Sequence, residues 1–175
     1  MVIQEMTEQE CRAMLGGRRV ARLACAKNDQ PYIVPIHVDL DGEFLYGFAV
    51  LGQKINWMRQ NPLVCLEIDD LTTDWHWTSV VVFGHYEELP PTPAYESERS
   101  VAERLFQRHP AWWEPASIPV GTHEPHTPIV FRIRIGRVTG RRATLSTLET
   151  APVGDNASEA RRSPWLARVL RRVPK

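Results

Sequence analysis

The chain has 175 residues, enough for one packed domain with an added arm and too few for two full cores. Lysine plus arginine and aspartate plus glutamate number 21 each, so a net charge of zero gives no global case for nucleic acid or an anionic membrane as partner. No apolar run approaches 18 residues, so no membrane span is expected. The acidic N-terminal stretch, MVIQEMTEQEC, lacks the apolar core of a signal peptide. Cys11, Cys25 and Cys65 are odd in number and have no C-x-x-C spacing, which matches reduced thiols in a cytoplasm. The two read as buried and unreactive are Cys25 and Cys65, which leaves Cys11 for any labelling reagent.

In chain order, Thr7-Glu8-Gln9-Glu10 is a capping box that predicts a short helix to about Leu15, ending at Gly16-Gly17. Arg18 to Ala26 is apolar and reads as a strand. Asn28-Asp29-Gln30 is turn chemistry, and YIVPIHVDL then alternates, with Tyr32, Val34, Ile36, Val38 and Leu40 on one face. Asp41-Gly42 predicts a hairpin whose returning strand runs through Leu45 to Val50. After Gly52 come about two helical turns, Asn61-Pro62, and a strand from Leu63 to Ile68. SVVVFGHYEEL is a longer strand with Gly84 as its expected bulge.

Thr92-Pro93 opens a second helix with Val101, Ala102, Leu105 and Phe106 on one face. Five prolines between Pro110 and Pro128 mark an irregular segment that also holds Trp112-Trp113. IVFRIRIGRV alternates again, with Ile129, Phe131, Ile133 and Ile135 inward and Arg132 and Arg134 outward. Thr139-Gly140 is expected to turn the chain into a last strand, RRATLSTL. The sum is a mainly β, α+β chain: a small antiparallel β-barrel of six to seven strands with two or three flanking helices, which the family resemblance given below makes a split β-barrel. Residues 1–150 form this domain. Residues 151–175 form a basic tail with Trp165, Leu166, Val169 and Leu170 at helical spacing, either a docked C-terminal helix or a surface-binding arm.

Two features bear on chemistry. Gly52-Gln53-Lys54 puts a lysine into the first turn of a helix, where free N–H groups and a partial positive charge suit a phosphate. The same three residues also fit an ordinary solvated turn. His123-Glu124-Pro125-His126 is the nearest approach to a metal cluster, and its proline and short spacing suit a loop better, so no metal is expected. No nucleophile elbow and no Walker loop is present.

The stretch RRVARLACAKNDQPYIVPIHVDLDGEFLYGFAVLGQKINWMRQNPLVCLEID, then WTSVVVFGHYEEL, HPAWWEP and FRIRIGRVTGR, resembles the pyridoxamine-phosphate-oxidase-like split-barrel flavoproteins. It is similar in particular to the branch that holds the nitroimidazole-resistance proteins. The resemblance spans about Gly17 to Arg142 and implies a homodimer with FMN in a groove at the subunit interface. It assigns Gly52, Gln53 and Lys54 to the phosphate, with Gln53 where the oxidase branch has arginine. Thr78 and Ser79 match the position that helps hold the phosphate or ribityl chain. Val34, Pro35, Ile36 and His37 match the strand along the isoalloxazine, and Tyr46, Phe48, Ala49 and Val50 line its other side. Trp113, with Trp112, either stacks on a flavin or anchors the proline-rich segment.

Phe48 stands where nitroimidazole-resistance proteins carry a histidine, so that residue's chemistry does not carry over, and no catalytic residue is named. The implied activity is an FMN-dependent oxidoreductase passing electrons from NAD(P)H to a small organic acceptor. The alternatives are a non-catalytic flavin or haem binder and a deazaflavin-dependent reductase.

Overall fold

The computed structural model describes residues 1–108 and 128–145. They belong to one compact unit, Met1–Leu145. Trp112, Trp113, His123, His126 and the 151–175 tail lie outside the described residues. In chain order the elements are β1 (Val2–Glu5), α1 (Glu8–Gly17), β2 (Val20–Lys27), β3 (Gln30–His37), β4 (Asp39–Asp41), β5 (Phe44–Ala49), α2 (Gln53–Gln60), β6 (Leu63–Thr73), β7 (His76–Glu88), α3 (Glu96–Arg108) and β8 (Ile129–Thr144). A single 3-10 turn, Pro93–Tyr95, leads into α3.

All eight strands join one antiparallel sheet in the order β3-β2-β6-β7-β8-β5-β4, with β1 added to β8. The two ends of this path are consecutive in the chain, separated only by Val38. The first half of that stretch pairs with β2 (Val20↔His37 through Lys27↔Gln30), and the second half pairs with β5 (Asp39↔Tyr46). The sheet therefore curls round until its edges meet in one bent strand. The Val38 N–H donates to the Arg19 carbonyl at 2.9 Å and keeps the bend attached to the chain entering β2. Pro31 and Pro35 sit on the edge strand β3, where a missing N–H costs no ladder bond.

The interior follows from period-two alternation. Leu23, Ile36, Leu45, Leu66, Val82, Phe131 and Ile133 point inward and are buried. Each such side chain contributes about 1.5–3 kcal/mol relative to exposure. α1 is started by its capping box: the Thr7 hydroxyl accepts from the Glu10 N–H at 3.3 Å, and the Glu10 carboxylate accepts from the Thr7 N–H at 2.8 Å. α2 drops Ile55 and Met58 into the core, and Trp57 packs on Tyr32 with ring centroids 5.6 Å apart. A second cluster forms outside the barrel, where Ala102 and Leu105 of α3 cover Tyr46, Leu89 and Val130.

The structure departs from the sequence expectations in four places. β1 is an eighth strand that the short VIQE stretch did not announce. The expected turn at Thr139-Gly140 is absent: β8 runs unbroken to Thr144 because its second half pairs with β7 on one side and β1 on the other. Gly140 is needed there for closeness, since a Cβ would lie 2.6 Å from Cys11 Sγ beneath α1. The register slip does fall at Gly84, yet the extra residue belongs to the partner strand: Phe83 pairs with Arg137 and Gly84 with Ile135, leaving Gly136 over. Finally, Cys11 is fully buried and Cys65 half-buried, the reverse of the expected order of thiol access. α1 lies on β8 and seals Cys11, whereas Cys65 points out of the barrel.

Gly47 on β5 sits where the barrel closes. A Cβ there would come within 2.9 Å of the His37 carbonyl oxygen and 2.8 Å of Phe131 Cζ. One of these is backbone and the other a buried ring, so neither yields cheaply. Gly47→Ala is expected to lower the unfolding free energy by roughly 1–3 kcal/mol, read as a fall in the urea midpoint at unchanged slope. An unchanged midpoint means that β5 and β3 do not approach this closely.

Candidate functional site

β5 ends at Ala49, and three residues separate it from the start of α2 at Gln53. Gly52 is its N-cap, with an extended backbone and no side-chain cap, and the first turn holds no acidic residue. The leading N–H groups of α2 are thus left without an internal acceptor. Lys54 lies in this turn, half-buried, and none of the described residues gives it a hydrogen bond or an ion pair. Burial pushes its ammonium below the usual lysine range. A desolvated lysine beside free N–H groups is an electrostatic deficit that an anion would fill. Gln53, next to it, is exposed.

The strand side of the site is set by the closure of the barrel. On β3, Val34 and Ile36 face inward, Ile36 into the core, whereas Pro35 and His37 face outward. His37 is half-buried beside Arg19, which itself approaches Asp39 at 3.9 Å. Desolvation, and then the Arg19 charge, pull the His37 pKa down to about 4. The imidazole is therefore neutral at physiological pH and offers hydrogen bonding without charge.

On β5 the alternation splits the expected residues. Ala49 belongs to the barrel core. Tyr46 is buried under α3, and Phe48 meets Phe106 edge-on with centroids 5.0 Å apart. Arg132 of β8 fixes this layer, donating to Glu87 at 2.6 Å and lying 4.3 Å over the Phe44 ring. Val50 is half-buried in the link to α2.

Thr78 and Ser79 sit elsewhere. Thr78 pairs with Asp70, seven residues along β6 from Leu63, which follows α2. At about 3.3 Å per residue that is roughly 23 Å of strand. Thr78 instead lines a cavity of about 350 Å³ with Met6, Glu10, Met14 and Arg142. The Ser79 hydroxyl faces outward and donates to Glu67 at 2.8 Å.

Glu67 leads to a group that sequence reasoning missed. Arg22 of β2 donates to both Glu67 and Asp69 of β6, forming a polar network on the same outer face as Ser79, Pro35 and His37. The alternating charges of LEIDD were its signal, readable only once β2 is known to lie beside β6. Among the described residues no group of three or more His, Cys, Asp and Glu could hold a metal ion. No described helix is long and apolar enough to cross a membrane.

The family model described as pyridoxamine 5'-phosphate oxidase matches residues 7–142. An uncharacterized protein of Rhizobium meliloti is 40% identical over 151 residues, which cover 85% of this chain and 100% of the relative. Among solved structures, a FAD-binding protein from Mesorhizobium loti is 38% identical with a TM-score of 0.69, covering 83% of this chain and 99% of that one. A candidate 5-nitroimidazole antibiotic resistance protein from Bacteroides thetaiotaomicron shares the fold at a TM-score of 0.57 and 15% identity, over 81% of this chain and 89% of that one.

The neutral His37 gives a pH prediction. The unfolded imidazole binds a proton near pH 6.5, and the folded one refuses it until about 4. The unfolded state therefore binds more protons in that window, and stability falls as pH drops from about 6.5 to 4. Below 4 the loss stays constant. Comparing urea midpoints at pH 7 and pH 5, wild type should lose more than His37→Asn. Equal losses in both proteins would falsify the assignment of the shift to this residue.

Proposed function

The chain belongs to the pyridoxamine 5'-phosphate oxidase family, and on that premise we propose that it holds FMN and passes electrons from NAD(P)H to a small organic acceptor, working as a cytoplasmic homodimer. The observation that carries this reading is Lys54: half-buried, unpaired among the described residues, in the first turn of a helix with no side-chain cap. The ammonium and the N–H groups of α2 hold the flavin phosphate. His37, neutral near pH 7, stands at the edge of β3 as a hydrogen-bonding partner that adds no charge, and Pro35 gives the ring a flat apolar neighbour. The flavin, when bound, supplies the redox chemistry itself.

Two observations favour FAD as a second reading. The Mesorhizobium loti protein is described as FAD-binding. Gln53 is also neutral, so the first turn of α2 offers one side-chain charge, Lys54. The pyrophosphate of FAD carries about one charge per phosphorus, whereas a phosphate monoester carries about −1.5 to −2 at pH 7. A single lysine matches the former at least as well. A protein that stays yellow when NAD(P)H is added is a flavin carrier and no reductase, and a red-brown one is a haem binder.

A charge-assisted phosphate contact contributes about 1.5–3 kcal/mol. Lys54→Ala should therefore weaken FMN or FAD binding roughly ten- to a hundredfold and leave riboflavin, which has no phosphate, nearly unaffected. Fluorescence quenching titrations of both proteins with all three ligands measure this as a cycle. Equal weakening for riboflavin and FMN, or none for either, removes Lys54 from the phosphate. The tighter of FMN and FAD in wild type decides the cofactor.

A further inference from the structure

The inner face of the sheet changes character at one end. Ile68, Val80 and Gly140 form a buried row across β6, β7 and β8, and the next inward row along the same strands is Asp70, Thr78 and Arg142. An acid, a hydroxyl and a guanidinium thus stand where the inward side of the alternation had been apolar. α1 lies over this row. Its Glu10, Ala13 and Met14, neighbours on one helix face, form the opposite wall, and Met6 joins them. Between helix and row is the cavity of about 350 Å³. Pockets for small molecules run from about 300 to 1,000 Å³, so this one suits a ligand well below nucleotide size.

The polar groups here are matched in charge and incompletely used. Arg142 donates through one Nη to Glu10, and Arg18 donates to one carboxylate oxygen of Asp70. Two cations and two anions leave the cavity without net charge, which disfavours a lone anion or cation as its occupant. A guanidinium has several N–H donors and a carboxylate has two acceptor oxygens, so Arg142 keeps donors to spare and Asp70 keeps Oδ1. The Thr78 hydroxyl, between them in the row, has no hydrogen-bond partner among the described residues. Met6, Ala13 and Met14 are apolar, and methionine side chains adapt to the shape they meet. A ligand that satisfies these walls carries a positive and a negative group close together and an apolar arm.

We propose that this slot between α1 and the end of the sheet binds a free α-amino acid with an apolar side chain. Its carboxylate meets Arg142 and the Thr78 hydroxyl, its ammonium meets Asp70, and its side chain lies against Met6, Ala13 and Met14. Strands about 4.8 Å apart place Asp70 and Arg142 roughly 10 Å from each other at the backbone, on either side of Thr78. An ammonium and a carboxylate about 3 Å apart, with a hydrogen bond of about 2.9 Å at each end, cover roughly 9 Å. The slot is separate from the polar groups of the outer face, because Thr78 faces inward beneath α1 while its neighbour Ser79 faces outward to Glu67. It does not rest on the flavin reading.

Isothermal calorimetry with L-norleucine and the full chain at pH 7 tests this. Norleucine should bind, and two analogues should each bind at least tenfold more weakly: norleucine amide, which lacks the carboxylate, and N-acetylnorleucine, which lacks the ammonium. Ala13→Phe, at an exposed helix position, puts a ring into the slot. It should raise the norleucine dissociation constant at least tenfold with unchanged far-ultraviolet circular dichroism. Thr78→Val keeps the shape, loses the hydroxyl and should raise that constant roughly three- to tenfold. No heat with norleucine at millimolar concentration overturns the proposal. Equal binding of all three ligands also overturns it, since that is adsorption of the apolar arm alone. Norleucine binding that Ala13→Phe leaves unchanged does the same, because it places the amino acid elsewhere. Flavin titration of the same samples reads separately: norleucine binding without flavin binding removes the flavin reading and leaves this one standing.

Discussion

One bent strand holds the molecule together. Residues 30–41 pair with β2 along their first half and with β5 along their second, so a single backbone segment closes the sheet on itself. Everything near the candidate site depends on that closure. It brings the His37 carbonyl against β5, and only a glycine at 47 lets the two backbones and the Phe131 ring coexist. It fixes which residues of β3 face outward and ends β5 where α2 must begin. The proline pair on β3 fits the same logic, because an edge strand leaves alternate N–H groups without a ladder partner.

The closure also sorts the polar chemistry by face. Inside, the barrel is apolar, and among the described residues no buried side-chain nitrogen or oxygen lacks a partner. Outside, α3 covers the face of β5 and the start of β8, with Arg132 clasped between Glu87 and the Phe44 ring. The remaining outer face carries His37 and the Arg22–Glu67–Asp69–Ser79 network. Lys54 stands apart at the mouth of α2, where burial without a partner among the described residues raises the cost of its charge.

The family resemblance and the geometry bear on different questions. The family match covers residues 7–142, nearly all of the described fold. The geometry places Lys54 in the first turn of α2 and the Ser79 hydroxyl on the outer face, donating to Glu67. It also places Tyr46 and Phe48 beneath α3, where they order the second layer of packing.

Local chemistry by itself determined a good deal. The Thr7–Glu10 capping box, the Asp41-Gly42 hairpin, the alternation of β3 and β5 and the mouth of α2 at Gly52 are contained within a few neighbouring residues, and all formed as read. The mainly antiparallel class was legible for the same reason. The tertiary structure decided the rest. Thr139-Gly140 resembles a turn, yet pairing on both sides kept β8 straight, and contact with Cys11 explains the glycine. Cys11 and Cys65 exchanged their expected exposure because α1 covers one and the outer face presents the other. The Arg22 network depends on which strands become neighbours. Strand neighbours are chosen by long-range pairing and burial, and no local run of residues encodes them.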